Sequence, residues 1–221
     1  MEYTLTKFYS KVYGWTFLAL VVSGVSAMWV NNTPSMQKAL YMSPWLMFGL
    51  IIFELFLVFW LVSNLKTMSA AAANGFYFLY AILNGVTLSS IFVYYDIGTI
   101  STAFFTAAVM FIVMSIIGMF TKADLSKMSG ILMMGLIGII IAVFVNMFLR
   151  SSQFDFIISI ITVIIFTLLT AHDTQKLKAY HAAAGDDKES QSKMSIMGAL
   201  ALYLDFINMF LALLRIFGRN Q

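Results

Sequence analysis

The sequence predicts an all-α integral membrane protein with seven transmembrane helices, the seventh of them central. Of its 221 residues 61% are hydrophobic and only 10% are charged, whereas about a quarter of residues are charged in soluble globular domains. Seven apolar runs follow one another, each near the roughly 20 residues that cross a bilayer. The last run carries Asp205 near its middle, and a carboxylate at that depth must face protein, water or an ion rather than lipid. The seventh helix is therefore expected to lie among the other six.

The seven runs are expected to form a single membrane domain over residues 1–221, because no Pro-rich or Ser-rich linker interrupts them. Polar stretches and prolines separate the runs. The predicted spans are approximately residues 12–30, 44–62, 70–94, 99–120, 128–149, 154–176 and 194–217. A polar lead, residues 1–11, precedes them. Residues 177–193 form the longest predicted loop and the one stretch with a soluble character.

Lysines and arginines predict the orientation in the membrane. With a cytoplasmic amino terminus, the outer loops hold only Lys38 and Arg150. The inner segments then hold Lys7, Lys11, Lys66, Lys122, Lys127, Lys176, Lys178, Lys188 and Lys193. This positive-inside pattern predicts a multi-pass protein of the cell (plasma) membrane with its amino terminus in the cytoplasm. Arg215 and Arg219 are the exception, because a full seventh span places them outside and a re-entrant segment places them inside. The length of the apolar run favours a full span.

Three acidic residues, Glu54, Asp173 and Asp205, lie within or at the ends of the predicted spans. Ionisable residues inside a membrane are costly and are functional candidates by default. Each also has a structural interpretation: Glu54 and Asp205 could make hydrogen bonds that fix packing, and Asp173 could be solvated or paired with Lys176 or Lys178.

Two polar neighbours of these acids are candidate supporting residues. Asn208 lies three residues after Asp205 and so shares its helix face. His172 precedes Asp173 but points about 100° away on a helix, so the two need not face the same partner. For His172, packing or an interfacial hydrogen bond is the favoured role, and a contribution to the pH response is the alternative.

The functional interpretation comes from Asp173 and Asp205 together. Spans six and seven are antiparallel neighbours, so the two side chains can approach one another. Two carboxyl groups at hydrogen-bond distance in a low-dielectric site cannot both ionise cheaply, and they share a proton. When that proton leaves, repulsion favours separation of the helices unless a cation enters. Calcium prefers oxygen ligands, which makes Asp173 and Asp205 candidate calcium ligands.

The sequence lacks the residues that several classes of protein need for their function. The chain has no cysteine, which excludes disulfides, thiolate metal sites and cysteine nucleophiles. It has no His-Glu-x-x-His motif of a metalloprotease, and residues 195–214 lack the lysine that a retinal pump requires. No enzymatic activity, tightly bound cofactor or nucleic-acid partner is therefore expected. A proton-coupled transporter stays open, although no inverted repeat is evident. So does a regulator that binds other membrane proteins, for example a membrane protease.

Three motifs carry a resemblance to a known family. They are ALYLDFIN at residues 201–208 with the trailing LLRIFG at 213–218, HDTQ at 172–175, and a glutamate in span two. With these motifs the sequence resembles bacterial members of the Bax inhibitor-1 family, also called the transmembrane Bax-inhibitor-motif family. The resemblance implies seven helices with the last one central, and a pH-sensitive leak with calcium as the transported ion. It also implies that Asp173 and Asp205 form a hydrogen-bonded proton sensor and that Glu54 lines the ion path.

Bacterial relatives can carry an arginine after span two that engages the aspartate pair. The corresponding stretch here, residues 63–67, contains no arginine. Lys66 could take its place, but a lysine cannot make the planar bidentate contact of a guanidinium. The proton sensor formed by the two aspartates is therefore expected to be weaker, or to respond at a different pH.

Overall fold

The computed structural model describes residues 4–220. Helices account for 89% of the structure, and seven helical segments of the described chain are long and apolar enough to cross a membrane. The predicted all-α class with seven spans is therefore confirmed. Residues 1–3 of the predicted polar lead lie outside the described residues.

The helices follow one another with short connections. They are α1 (Leu5–Asn31), α2 (Pro34–Tyr41), α3 (Pro44–Asn64), α4 (Ala70–Leu88), α5 (Ile91–Tyr94), α6 (Ile97–Phe120), α7 (Ser129–Leu149), α8 (Ser152–Ala184) and α9 (Lys188–Phe217). Helices α4 and α5 together form the third span, and a 3-10 turn at Leu125–Met128 precedes α7. The short helix α2 was not predicted, because its eight residues lie between two spans and are too few to cross a bilayer.

Capping residues set helix starts that hydropathy alone places too late. Helix α1 begins at Leu5 because the Thr4 hydroxyl accepts a hydrogen bond from the backbone N–H of Lys7 at 3.4 Å. Most of the predicted polar lead is therefore helical. Asp96 caps α6 in the same way by accepting from the backbone N–H of Thr99 at 3.0 Å, so α6 begins at Ile97.

The predicted long loop over residues 177–193 is wrong. Helix α8 continues to Ala184, through alanines that favour helix, and α9 already begins at Lys188. Gly185 ends α8 with a φ of 57°, the left-handed conformation that favours glycine after a helix. Asp187 then caps α9, with its Oδ2 accepting from the backbone N–H of Ser190 at 2.8 Å. A tight turn thus joins the sixth and seventh spans.

The chain divides into two compact units. The first contains the residues up to Tyr94 together with Tyr180–Tyr203. In it, α4 packs against both α1 and α3. A side chain at Gly85 of α4 would collide with the backbone carbonyl oxygen of Ser23 in α1, so glycine permits the close approach of these two helices.

The second unit contains Tyr95–Ala179 and the chain from Leu204 onward. A Cβ at Gly118 of α6 would collide with the backbone carbonyl oxygen of Ala171 in α8. The ring of Phe206 in α9 packs edge-on against Phe104 and Phe111 of α6, with centroids 5.4 and 5.7 Å away. Helix α6 is therefore in close contact with both α8 and α9 within this unit.

Helix α9 is the most buried of the seven spans. In its most apolar stretch 72% of residues are buried, against 39% or fewer in each of the other six. This burial confirms the prediction of a central seventh helix. Its 30 residues form one continuous helix, about 45 Å long at 1.5 Å per residue. That length covers a hydrocarbon core of about 30 Å and supports a full span over a re-entrant segment. The expectation of a single domain stays a prediction.

Candidate functional site

The second unit brings together His172 and Asp173 of α8 and Asp205 of α9, which we call the aspartate site. Asp205 is 4% exposed, and the Asp173 side chain is 20% exposed. The two carboxyl groups lie close enough for their charges to interact. The structure therefore places these two predicted residues together.

The carboxyl group of Asp205 has an oxygen without a hydrogen-bond partner among the described residues. This oxygen, Oδ2, is buried. The implied hydrogen bond to Asp173 is thus not formed by this oxygen. A buried carboxylate oxygen without a donor is costly unless it is protonated or faces a cation. The role of Asp173 and Asp205 as a proton sensor stays a prediction.

His172 is the direct partner of Asp173. Its Nδ1 lies 2.7 Å from Oδ1 of Asp173, and the residue is 8% exposed. The expected divergence of about 100° between neighbouring helix positions does not keep the side chains apart, because the imidazole reaches across the helix surface. His172 also lines a cavity of about 350 Å³, so the partner of Asp173 borders an open space.

The turn of α8 that follows Asp173 makes hydrogen bonds to the end of α6 and to the segment after it. The Gln175 side-chain oxygen accepts from the backbone N–H of Leu125 at 2.9 Å, and its Nε2 donates to the carbonyl of Ala123 at 2.8 Å. Lys178 donates to the carbonyl of Met119 at 2.9 Å. The glutamine of the HDTQ motif therefore positions a loop, a role that the sequence did not reveal.

Glu54 lies in the first unit, in a second polar cluster formed by Ser23, Glu54, Asn84 and Tyr203. These residues come from four different helices and lie on one chain of hydrogen bonds. Asn84 Nδ2 donates to Glu54 Oε2 at 3.1 Å, and the Tyr203 hydroxyl donates to Asn84 Oδ1 at 2.8 Å. The Ser23 and Tyr203 hydroxyls are 2.7 Å apart. The other Glu54 oxygen, Oε1, is buried and has no partner in the described chain.

The sequence did not identify Ser23 and Tyr203 as partners of the Glu54 cluster. Asn84 is visible in the sequence as an amide within span three, and Tyr203 lies inside the motif ALYLDFIN, two residues before Asp205. Their connection depends on helix packing, because Ser23 and Tyr203 are far apart in sequence. The hydrogen bond from Asn84 thus fixes the orientation of the Glu54 carboxylate through Oε2 alone.

Asn208 and Lys66 each take part in a hydrogen bond in the structure, and their supporting roles stay predictions. The Asn208 side chain donates to the carbonyl of Leu204 in its own helix at 2.8 Å. Lys66 lies in the turn after α3 with an exposed side chain, and its carbonyl oxygen accepts from Lys193 Nζ at 3.0 Å. A substitution of Lys66 for the arginine of relatives stays a prediction.

Calcium ligands are sparse at both clusters. Among residues 4–220, no group of three or more His, Cys, Asp and Glu side chains is placed to hold a metal ion. Calcium takes six to eight oxygens in a stable site. Two carboxyl groups could therefore contribute only part of the coordination of a passing ion.

Comparison with known proteins places the chain in a family. Residues 5–221 match the family described as Inhibitor of apoptosis-promoting Bax1. The inner membrane protein YbhL of Escherichia coli is 41% identical over 98% of this chain and 93% of its own length. A protein of Borreliella burgdorferi is 40% identical over 97% of this chain and 93% of its own, and a membrane protein of Streptococcus pyogenes is 37% identical over 98% and 94%. With seven apolar helices of spanning length, the chain therefore belongs to the Bax inhibitor-1 family of multi-pass membrane proteins.

Proposed function

We propose that the protein is a proton-gated leak that lets calcium cross the membrane slowly down its gradient. The observation that carries this proposal is the buried Asp205 carboxyl group, with one unpartnered oxygen, within electrostatic reach of Asp173. A structural acid would be expected to have its oxygens satisfied by fixed donors. An acid that releases a proton and then binds a cation needs an oxygen that is not occupied by fixed hydrogen-bond donors.

The proposed gate has two states set by protonation. In the closed state the two aspartates carry at most one negative charge, so α8 and α9 can stay packed. At higher pH both ionise, and like-charge repulsion in a low-dielectric site favours separation. A cation entering between them relieves that repulsion. Because calcium carries two charges and prefers oxygen ligands, it suits a pair of carboxylates.

His172 gives the gate a second titratable group. Its ring contacts Asp173 directly, so a protonated imidazole would stabilise the Asp173 carboxylate. The pH response of the leak is therefore proposed to contain a contribution from His172.

Glu54 is proposed to line the ion path. Its Oε2 is held by Asn84, while the buried Oε1 is left for another partner. An oriented carboxylate with one free oxygen can take a proton or part of a cation's hydration shell.

The membrane location and orientation are part of the proposal. A relative is named as an inner membrane protein, which supports the cell membrane as the location of this chain. The lysines concentrate in segments that are inside if the amino terminus is cytoplasmic.

The test is calcium flux into dye-loaded proteoliposomes at pH 6 and pH 8. Flux that rises with pH in the native protein and loses that dependence in Asp205→Asn supports the gate. Size-exclusion chromatography and circular dichroism check that the variant is folded. Flux equal to that of protein-free vesicles at both pH values would remove the leak, and a regulator that binds other membrane proteins would then lead.

A further inference from the structure

A second cavity, of about 190 Å³, lies at one end of the second unit. Its lining includes Tyr95, two residues before the first residue of α6, Ser152 at the start of α8, and Gly218 directly after α9. All three helices are membrane spans. A cavity at the ends of spans lies at the level of the lipid headgroups rather than of the acyl chains.

Two arginines of this cavity have unused hydrogen-bond donors. The Arg219 guanidinium lies 4.6 Å above the centroid of the Phe156 ring, a cation–π contact that uses the face of the guanidinium and leaves its N–H edge free. Arg215 Nη1 is 3.7 Å from Asp155 Oδ1, too far for the 2.7–2.9 Å of a charge-assisted hydrogen bond. Neither guanidinium makes a hydrogen bond within the described chain.

The charge around the cavity favours an anion. Among the described residues that line the cavity, Arg215 and Arg219 are accompanied by one carboxylate, that of Asp155. The amino terminus of the 33-residue helix α8 at Ser152 adds partial positive charge. A water molecule takes about 30 Å³ of liquid volume, so the cavity has room for a tetrahedral oxyanion together with bound water.

We propose that this cavity binds a phosphate group through Arg215 and Arg219, and that the phosphate belongs to the headgroup of a membrane phospholipid. Guanidinium groups match phosphate oxygens in a bidentate way. Exposed Ile97 at the start of α6 and exposed Ile157 in the second turn of α8 provide apolar surface for the acyl chains beside the headgroup.

A phosphate site also explains the one exception to the charge bias of the sequence. A full seventh span places Arg215 and Arg219 on the side that is otherwise poor in basic residues. If these arginines bind a phosphate, their position has a functional reason and need not follow the positive-inside rule. The proposal is independent of the ion leak, since it concerns different residues and a different ligand.

The experiment uses the full chain in detergent with two probes, phosphatidylglycerol and inorganic phosphate. Native mass spectrometry counts bound lipid, and thermal unfolding measures stabilisation by either probe. We expect saturable binding of about one phosphatidylglycerol that raises the unfolding midpoint by about 3 °C. A larger effect of the lipid than of inorganic phosphate identifies the headgroup as the source, and an equal effect of inorganic phosphate would overturn the lipid assignment in favour of a free anion.

Three variants test the assignment to these residues. Arg215→Gln with Arg219→Gln should weaken binding about tenfold or more. Arg150→Gln is the matched control, because Arg150 is exposed, lies two residues before α8 and does not line the cavity. Asp155→Asn removes the competing carboxylate and should strengthen binding, a gain that misfolding cannot imitate. Equal binding by the native chain and the double variant, or weaker binding by Asp155→Asn, would overturn the proposal.

Discussion

The Tyr203 hydroxyl donates a 2.8 Å hydrogen bond to the side-chain oxygen of Asn84. Asn84 has its amide nitrogen turned to Glu54 as a consequence, since an amide that accepts on its oxygen side presents its donors on the other. One tyrosine thus orients the amide that orients the carboxylate. Ser23, Glu54 and Tyr203 are buried and Asn84 is half-buried, so a break in this chain removes a partner where little solvent can replace it.

Tyr203→Phe removes the donor of this chain and should lower stability. The half-buried Asn84 oxygen would lose that partner, which costs about 1–2 kcal/mol. We expect the thermal unfolding midpoint in detergent to fall by about 3 °C or more. Tyr94→Phe serves as control, because Tyr94 is 75% exposed and its hydroxyl can be solvated. Equal midpoints for both variants would show that the hydrogen bond carries little stability.

Glu54→Gln should reduce calcium flux while keeping the fold. The amide retains the shape of the side chain and can still accept from Asn84, but it lacks the charge that attracts a cation. Loss of a charged contact of about 1.4 kcal/mol in the path corresponds to roughly tenfold in rate. Proteoliposome flux at pH 8 measures this, with Asp186→Asn in the exposed turn before α9 as control. Unchanged flux in Glu54→Gln would take Glu54 out of the ion path.

Gly118→Ala should destabilise the protein through the contact between α6 and α8. Its methyl group would meet the carbonyl oxygen of Ala171, and overpacking of this kind costs about 1–3 kcal/mol. Gly138→Ala is the matched control, since no atom lies within 4 Å of its Cβ position. Alanine there should be neutral or stabilising by up to about 1 kcal/mol. Thermal unfolding distinguishes the two, and a Gly118 variant as stable as the Gly138 variant would contradict the packing.

Asp187 should give the start of α9 a pH-dependent stability. Hydrogen bonds from the side chain and backbone of Ser190 lower the pKa of Asp187. A carboxyl group with a lowered pKa in the folded state stabilises above its unfolded value, about 3.9, and this stabilisation is lost as the pH falls through the folded value. Asp187→Ala should therefore unfold at a lower temperature than the native chain at pH 7, with the difference shrinking below about pH 4. Asp186→Ala is the control, and a difference that persists undiminished at pH 3 would argue against the cap.

The sequence predicted the number, type and approximate position of the spans, because roughly 20 apolar residues in a run have few alternatives to a membrane helix. It also predicted which helix is buried most, since Asp205 could not face lipid. The predicted loop between Leu177 and Lys193 is wrong, because most of its polar residues lie in α8 and α9. Polarity there reflects helix ends that extend beyond the hydrocarbon core, and alanine content was the better guide.

The sequence identified the acids of the candidate site but only some of their partners. Asp173 and Asp205 were expected to approach each other because two consecutive antiparallel helices joined by one connection constrain the heights of their side chains. The sequence did not reveal the contact between His172 and Asp173, since neighbouring helix positions differ by about 100° in direction and need not face the same partner. The links from Ser23 to Tyr203 and on to Glu54 join distant helices, so only packing reveals them.

The most direct test of the proton-gated leak is a double-mutant cycle on Asp173 and Asp205, with calcium flux measured from pH 5.5 to 8.5. If the aspartates act as one coupled group, Asp173→Asn and Asp205→Asn each flatten the pH profile, and the double variant is no flatter than either single one. Flux at pH 8 in all three should approach the native value at pH 6. A pH profile that survives in the folded double variant would contradict gating by this pair.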